Sequence, residues 1–280
     1  MQSRRSDLPD FSDPPVEEVL LSLQFAAITD LKTAHVGVYW EGIRKRYPFT
    51  SEQPEVNPVF ETFGTIPQTQ PNISLQTFMA PPMPRFWFEN APGGPELLQI
   101  QRDRLMRNWR KGDGKAPYPR YEAIRRSLQQ EAQEYSAFLK KENLGELLVN
   151  QCEVTYINIV EDLPGKSDLH GALNSISPLW SGLTTDDPPG EVENSLVQIR
   201  YILSRNGERV GRIHVSMQPA FRPADFKPVF RIEITARGRP TGSTLKDAFE
   251  MLDFEREAVV KTFASVTSTE MHKLWKRNDA

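Results

Sequence analysis

The chain contains little of what a disulfide-bonded or membrane protein needs. Its 280 residues include one cysteine, Cys152, which excludes an intramolecular disulfide and suits a reducing cytoplasm. It has no run of eighteen apolar residues, and residues 1–15 lack the apolar core of a signal peptide. The formal net charge is -3, so the charge of the whole chain indicates neither nucleic acid nor an anionic membrane as partner. We therefore expect a soluble cytoplasmic protein with no membrane partner.

The chain also lacks the common motifs of catalysis and cofactor binding. Phosphate-binding loops of the forms GxxxxGK[ST] and GxGxxG are absent, and so is the GxSxG motif of serine hydrolases. The histidines are scattered and, with one cysteine, do not have the spacing of metal ligands; they are His35, His170, His214 and His272. We predict no metal and no cofactor and assign no catalytic residue. Whether the protein is an enzyme stays open, since an active site can be assembled from residues distant in sequence.

The hydrophobic pattern that is present indicates an α+β protein. Residues 16–26 alternate apolar and polar side chains, which is typical of a half-buried strand. The dipeptide Asn206-Gly207 between two β-rich segments predicts a tight hairpin. Residues 121–139, and the stretch from the cap Thr244 to residue 263, instead repeat their apolar side chains at helical spacing. The predicted fold has antiparallel sheets covered by long helices.

The order of these elements divides the chain into two halves. Residues 1–15 are polar and are predicted to form a flexible arm. Residues 16–145 and residues 146–280 each contain strands followed by a long helix. This order predicts two similar sheet-plus-helix units, with one continuous domain as the alternative. In the first half, short extended segments between prolines are expected at residues 56–63, 73–78 and 85–89.

A basic segment interrupts this acidic sequence. Residues 97–126 contain nine Lys or Arg against three Asp or Glu, and aromatic residues lie among the cations. Guanidinium groups that bind phosphates, next to rings that stack on bases, would bind single-stranded nucleic acid. The residues that we assign to this role are Arg102, Arg104, Arg107, Trp109, Arg110, Arg120 and Tyr121. The alternative is a solvated strand edge followed by the polar face of a helix.

A single cation falls inside the apolar stripe of the last long helix. Arg256 lies between Leu252 and Val259, so its charge must reach water or meet an acceptor. We predict an ion pair with a carboxylate, either Asp253 on the same helix or Glu233 on the preceding strand. The alternative is that Arg256 forms the floor of an anion-binding pocket between helix and sheet, which would allow an enzyme acting on an anionic substrate.

Aromatic and proline-rich segments favour contacts with other proteins. They are residues 81–84 (PPMP), 85–88 (RFWF) and 179–180 (LW). Aromatic side chains are concentrated at binding hot spots, although Phe86-Trp87-Phe88 also has the pattern of a buried strand. The first functional hypothesis is therefore a non-enzymatic binding or adaptor protein, with a protein partner or a homo-oligomer as its target. Nucleic-acid binding is the second.

Several motifs distributed over nearly the whole chain support a resemblance. They are PPV at 14–16, Trp40 with Tyr47-Pro48, QIQRDR at 99–104 with NWR at 108–110, YPRY at 118–121, VTYIN at 154–158, and Leu252-Asp253 followed by Phe263, Thr267, His272 and Trp275. In these motifs the chain resembles an uncharacterised, sporadically distributed bacterial family of about this length. The family tends to carry a histidine where this chain has Arg256. Its patchy occurrence implies an accessory role such as phage defence or a toxin–antitoxin system.

Overall fold

A computed structural model describes residues 8–64, 83–112, 116–163, 169, 171–181, 190, 192–222 and 225–278. The strands are β1 (Asp10–Phe11), β2 (Val16–Phe25), β3 (Phe49–Gln53), β4 (Arg85–Glu89), β5 (Glu96–Gln101), β6 (Arg104–Arg110), β7 (Val149–Val160), β8 (Val197–Arg205), β9 (Glu208–Phe221), β10 (Pro228–Gly238) and β11 (Arg277–Asn278). The helices are α1 (Thr33–Ile43), α2 (Tyr121–Lys141), α3 (Leu173–Ile176), α4 (Leu245–Val266) and α5 (Thr269–Leu274).

In the part of the chain that the structure describes, nine strands form one antiparallel sheet. Their order is β3-β4-β5-β6-β2-β7-β10-β9-β8. The predicted hairpin joins β8 to β9, with Asn206 and Gly207 at φ of 54° and 83°. Both residue types tolerate this left-handed conformation, which matches the twist of the paired strands. The predicted α+β class with antiparallel sheet is confirmed.

One face of the sheet is covered by the two longest helices. α2 packs over β6 and β2, and α4 packs over β7 and β10. The predicted stripe of α2 is buried from Tyr121 to Leu139, because side chains three and four residues apart share one face of a helix. The Thr244 hydroxyl caps α4 by accepting from the backbone N–H of Asp247, as the sequence predicts. We call this side of the sheet the helix face and the other side the open face.

Among the helices of the described residues, none combines the length and the apolar character needed to cross a bilayer.

Residues 104–110 of the basic segment form the strand β6, in the interior of the sheet. β6 is paired on both sides, with β5 and with β2, so the interpretation as a solvated strand edge is wrong. Successive side chains of a strand point to opposite faces. Arg104 and Arg110 therefore lie on the open face, whereas Arg107 and Trp109 lie on the helix face.

The sheet continues across the boundary between the two predicted units. β2 belongs to the first half and β7 to the second, and they pair directly, with Leu21 opposite Val154. In the first half, β2 pairs with β6, the last strand of the meander β3-β4-β5-β6. In the second half, β7 pairs in the same way with β10, the last strand of the meander β8-β9-β10. The division at residue 145 stays a prediction.

The part of the predicted arm that the structure describes is packed on the protein. β1 pairs with β11, and Phe11 is buried against the rings of Phe263 and Trp275. This contact between the two ends of the described chain removes Phe11 from water, and the flexibility of the arm at residues 1–15 stays a prediction.

Residues 56–63, predicted as extended, form no strand but run across the open face. We call them the crossing segment. Its backbone exchanges hydrogen bonds with Gln24 and Gln101 of the sheet, and its Glu61 contacts Arg212 and His214. Of the other two extended segments, residues 85–89 form β4, and residues 73–78 lie outside the described residues.

Candidate functional site

A cavity of about 420 Å³ lies on the helix face, between α4, the start of α2 and residues 8–16. We call it the α4 cavity. Its apolar wall comes from α4 and from the N-terminal segment, and includes Val259, Val260, Phe263, Leu8, Pro14 and Val16. Its polar wall comprises Asp10, Tyr118, Arg120, Tyr121, Glu122, Tyr156, Asn158, Arg256 and Asn278. Concave apolar sites with a few convergent polar groups are the usual form of a small-molecule site.

Arg256 is the cation of this cavity that lacks an acidic partner. Its guanidinium lies 5.5 Å from the centre of the Tyr121 ring and next to Tyr156. Burial raises the pKa of Tyr156, and the positive charge of Arg256 acts in the opposite direction. Within the described residues, no carboxylate oxygen comes within 4 Å of the Arg256 nitrogens, and its Nε has no hydrogen-bond partner.

The predicted ion pair of Arg256 is therefore wrong. Asp253 instead accepts two hydrogen bonds from Arg125, at 2.7 and 3.0 Å, and one from the Tyr121 hydroxyl at 2.9 Å. Glu233 lies between the core residues of β10, so its side chain points to the open face and pairs there with Arg231. Asp253 is thus already neutralised by Arg125, and Glu233 lies on the opposite face of the sheet from Arg256.

Two tyrosines and one amide complete the inner wall. The hydroxyls of Tyr118 and Tyr156 lie 2.9 Å apart, and Trp109 packs on Tyr118 at 5.3 Å between ring centres. Burial raises the pKa of Tyr118 well above its usual value, so both hydroxyls stay protonated. Asn158 is 2% exposed, and its amide donates to the carbonyl of Ile232 at 3.4 Å. These groups offer neutral hydrogen-bonding atoms close to the charge of Arg256.

Arg120 closes the cavity at the start of α2 and has a strained backbone. Its guanidinium donates to Asp10 at 3.1 Å and to the carbonyl of Phe11 at 3.0 Å, which ties the N-terminal segment over the cavity. Its φ and ψ are 71° and 158°, a region that is essentially restricted to glycine. Such a conformation costs on the order of 1–3 kcal/mol and is found mainly at functional sites.

The structure does not bring the proposed nucleic-acid residues together. Arg120 and Tyr121 line the α4 cavity, Arg104 and Arg110 lie on the open face, and Arg102 follows β5 in a turn. Trp109 is buried against Tyr118, and Arg107 is buried under α2. A single-stranded nucleic acid cannot contact both faces of a sheet at once, so these seven residues form no common binding surface.

Arg107 belongs to a buried ion pair between sheet and helix. It is 4% exposed and donates to Glu131 of α2, which is 1% exposed, at 2.6 Å. The hydroxyl of Tyr47 contacts both groups, by accepting from Arg107 and donating to Glu131. This arrangement gives Arg107 a structural role in joining α2 to β6.

Sequence reasoning missed the charged residue that does point inward from α4. Glu255 is 0% exposed and neither carboxyl oxygen has a hydrogen-bond partner in the described structure. The signal was present, because Met251, Glu255 and Val259 follow one another at intervals of four residues. Burial raises the pKa of Glu255 well above its usual range.

No family model matches this chain, and neither a curated protein nor a solved structure matches it. The resemblance to a sporadic bacterial family stays a prediction.

Proposed function

We propose that this protein is a binding protein whose α4 cavity holds a small, singly charged anion with an apolar part, such as a carboxylic acid. The observation that supports this is the unpaired Arg256 in a partly apolar cavity of about 420 Å³. Arg256 is half-buried, and a cation partly withdrawn from water without an acidic partner among the described residues favours an anionic ligand that compensates its charge. The carboxylate lies on Arg256 and the neighbouring tyrosine hydroxyls, and the apolar part lies against Val259 and Phe263.

The charges of the wall favour one negative charge on the ligand over several. Asp10 and Glu122 also line the cavity, and Asp10 is already paired with Arg120. Glu122 would repel a second negative charge. A monocarboxylate therefore suits the cavity better than a phosphate or a nucleotide.

The experiment is a calorimetric titration of the full chain with octanoate and with benzoate. We expect saturable binding of at least one acid and none of the matched neutral amides, octanamide and benzamide. Because hydrogen bonds to charged groups contribute about 1.5–3 kcal/mol, Arg256→Met should weaken binding roughly 10- to 100-fold.

The control variant is Arg209→Met. Arg209 is an exposed arginine on β9, outside the cavity, so its replacement should leave the affinity unchanged. Equal binding of acid and amide, or equal affinity of the Arg256→Met variant, would show that Arg256 does not hold an anion. Absence of binding for both acids would contradict the proposed ligand class.

A second candidate function, contact with another protein, is favoured by the edge strand β8. β8 is the last strand of the sheet, has nine residues without proline or lysine, and exposes Tyr201 and Ile202. Edge strands without proline or lysine pair more readily with another strand, although the charges of Arg200 and Arg205 give β8 some protection. We propose a second copy of the chain as the partner, because antiparallel pairing about Tyr201 would place Arg200 opposite Ile202 and no two charges opposite each other.

Light scattering during size exclusion tests this second candidate. We expect a dimer at tens of micromolar protein that Ile202→Lys converts to a monomer, since lysine on an edge strand disfavours pairing. Glu208→Lys, at the exposed first residue of β9 and outside β8, is the control and should stay dimeric. A wild-type protein that is monomeric at these concentrations would contradict the pairing.

A further inference from the structure

The open face carries a second concave site, separated from the α4 cavity by the sheet. It is a groove of about 380 Å³ beside the crossing segment. Its floor is formed by open-face side chains of β4, β5, β6 and β2. Its charged lining comprises four arginines, Arg85, Arg104, Arg110 and Arg237, and two carboxylates, Glu18 and Glu153. We call it the open-face groove.

Arg85 and Arg104 lie in one row across the sheet. Phe86 pairs with Ile100, so Arg85 lies beside Gln101, and Gln101 pairs with Arg104. Adjacent strands are about 4.8 Å apart, which places the backbones of the two arginines about 10 Å apart. Arginine side chains are long enough to contact one small ligand from both sides of a gap of this width.

Among the described residues, neither of these two arginines has a carboxylate oxygen within 4 Å of its nitrogens. Arg85 donates to the amide oxygen of Gln99 at 2.9 Å, and Arg104 donates to Gln24 at 2.6 Å and to the carbonyl of Asn57 at 3.2 Å. All these acceptors are uncharged. Burial lowers the pKa of both guanidiniums. The charges of Asp103 and Glu153 oppose this effect at Arg104, and the charge of Arg104 lowers the pKa of Arg85 further.

The other two arginines of the groove behave differently. Arg110 is paired with Glu89 at 2.5 Å, and Arg237 is paired with Glu153 at 2.7 Å. The groove therefore has two neutralised cations and two that are not.

Buried donors without acceptors also occur in this groove. In the described structure the Nε atoms of Arg85 and Arg104 and the indole Nε1 of Trp87 are buried and have no hydrogen-bond partner. Leaving a buried donor unsatisfied costs about 1–3 kcal/mol, more for a charged group. Trp87 does not offer a free ring for stacking, because Arg85 and Arg110 both lie 5.6 Å from its centre. The groove thus favours an anion over a nucleobase.

We propose that the open-face groove binds a doubly charged oxyanion of the phosphate class between Arg85 and Arg104. Two cations without acidic partners match the two charges of a phosphate dianion. Arginine is suited to this role because its planar donors bind two oxygens at once. The site is independent of the α4 cavity, since the two lie on opposite faces of the sheet.

The test is a titration of the full chain with inorganic phosphate and with phenyl phosphate, followed by thermal unfolding and by calorimetry. At pH 8, with ionic strength held constant with sodium chloride, we expect a saturable rise in Tm with at least one of the two. At pH 5, where the second proton of a phosphate with pKa near 6 is bound, affinity should fall about tenfold. A preference for phenyl phosphate would identify a phosphoester, and equal binding would identify free phosphate.

Three variants complete the test. Arg85→Gln and Arg104→Gln should each reduce the affinity at least tenfold, whereas Arg200→Gln, an exposed open-face arginine on β8, should not. Arg85 is half-buried, so its variant is expected to fold even if the Arg104 variant does not. Arg256→Met should leave phosphate binding unchanged, which separates this site from the α4 cavity. No saturable shift at 20 mM of either ligand, or the same shift in the Arg85 and Arg200 variants, would overturn the proposal.

Discussion

Replacement of Glu255 by methionine should stabilise the protein, which is unusual for a substitution in a core. Glu255 lies on the buried stripe of α4, between Met251 and Val259, and is 0% exposed. Within the described residues its carboxyl oxygens have no hydrogen bond of normal geometry. The Gly238 N–H is near enough to lower the pKa of Glu255, but burial raises that pKa by more. Methionine has a similar length and volume and needs no hydrogen bond.

The magnitude follows from two costs of the buried acid. An unsatisfied buried polar group costs about 1–3 kcal/mol, which Glu255→Met should recover at pH 7. In addition, burial raises the folded-state pKa of Glu255 above the unfolded value of 4.5, so the unfolded chain loses its proton first as pH rises. Wild-type stability should therefore fall, by up to about 1.4 kcal/mol per pH unit above 4.5, while the folded group stays protonated.

Urea unfolding from pH 5 to pH 8 measures both effects. Glu255→Gln should remove the part of the pH dependence that comes from Glu255 but retain a buried polar group, so it separates the titration from the hydrogen-bonding cost. Glu250→Met, at an exposed position of the same helix, is the control for the loss of one negative charge. If wild type and Glu255→Gln show the same pH dependence, Glu255 is not a protonated buried acid. Separately, if Glu255→Met is less stable than the wild type at pH 7, the reasoning about the unsatisfied hydrogen bonds of Glu255 is wrong.

Two further predictions concern charged groups on the sheet. Arg107→Met alone should destabilise the protein by about 3–5 kcal/mol, because it leaves Glu131 buried without its cation. The double variant with Glu131→Gln should lose less stability than this single variant. Chemical unfolding of the single and double variants checks this. At Glu61, burial opposes ionisation, but hydrogen bonds from His214 and Arg212 lower the pKa to about 2. The ionised Glu61 should contribute at most about 3 kcal/mol to the free energy of unfolding, in full above pH 4.5 and less as pH falls towards 2. In urea unfolding, the stability of Glu61→Gln should therefore approach that of the wild type at pH 3.

Local structure was largely predictable from the sequence. The alternation of residues 16–26, the Asn206-Gly207 turn and the cap at Thr244 each depend on a few neighbouring residues, and all three are confirmed. These features are determined by side-chain sterics and by local hydrogen bonds, which act within about four residues. For the same reason the α+β class followed from the order of the elements.

The positions of the charged residues were decided by the tertiary structure. Arg104 and Arg107 are three residues apart in one basic segment, yet β6 lies inside the sheet and directs them to opposite faces. Arg256 was predicted to pair with Asp253, but Arg125 of α2, 128 residues away from Asp253 in sequence, occupies that carboxylate. An ion pair depends on which elements pack together, and strand pairing sets that over the whole chain. The sequence by itself therefore determined most of the long helices and strands, although not the path of residues 56–63. The neighbours of each arginine, and with them both proposed binding sites, became defined only when the sheet was assembled.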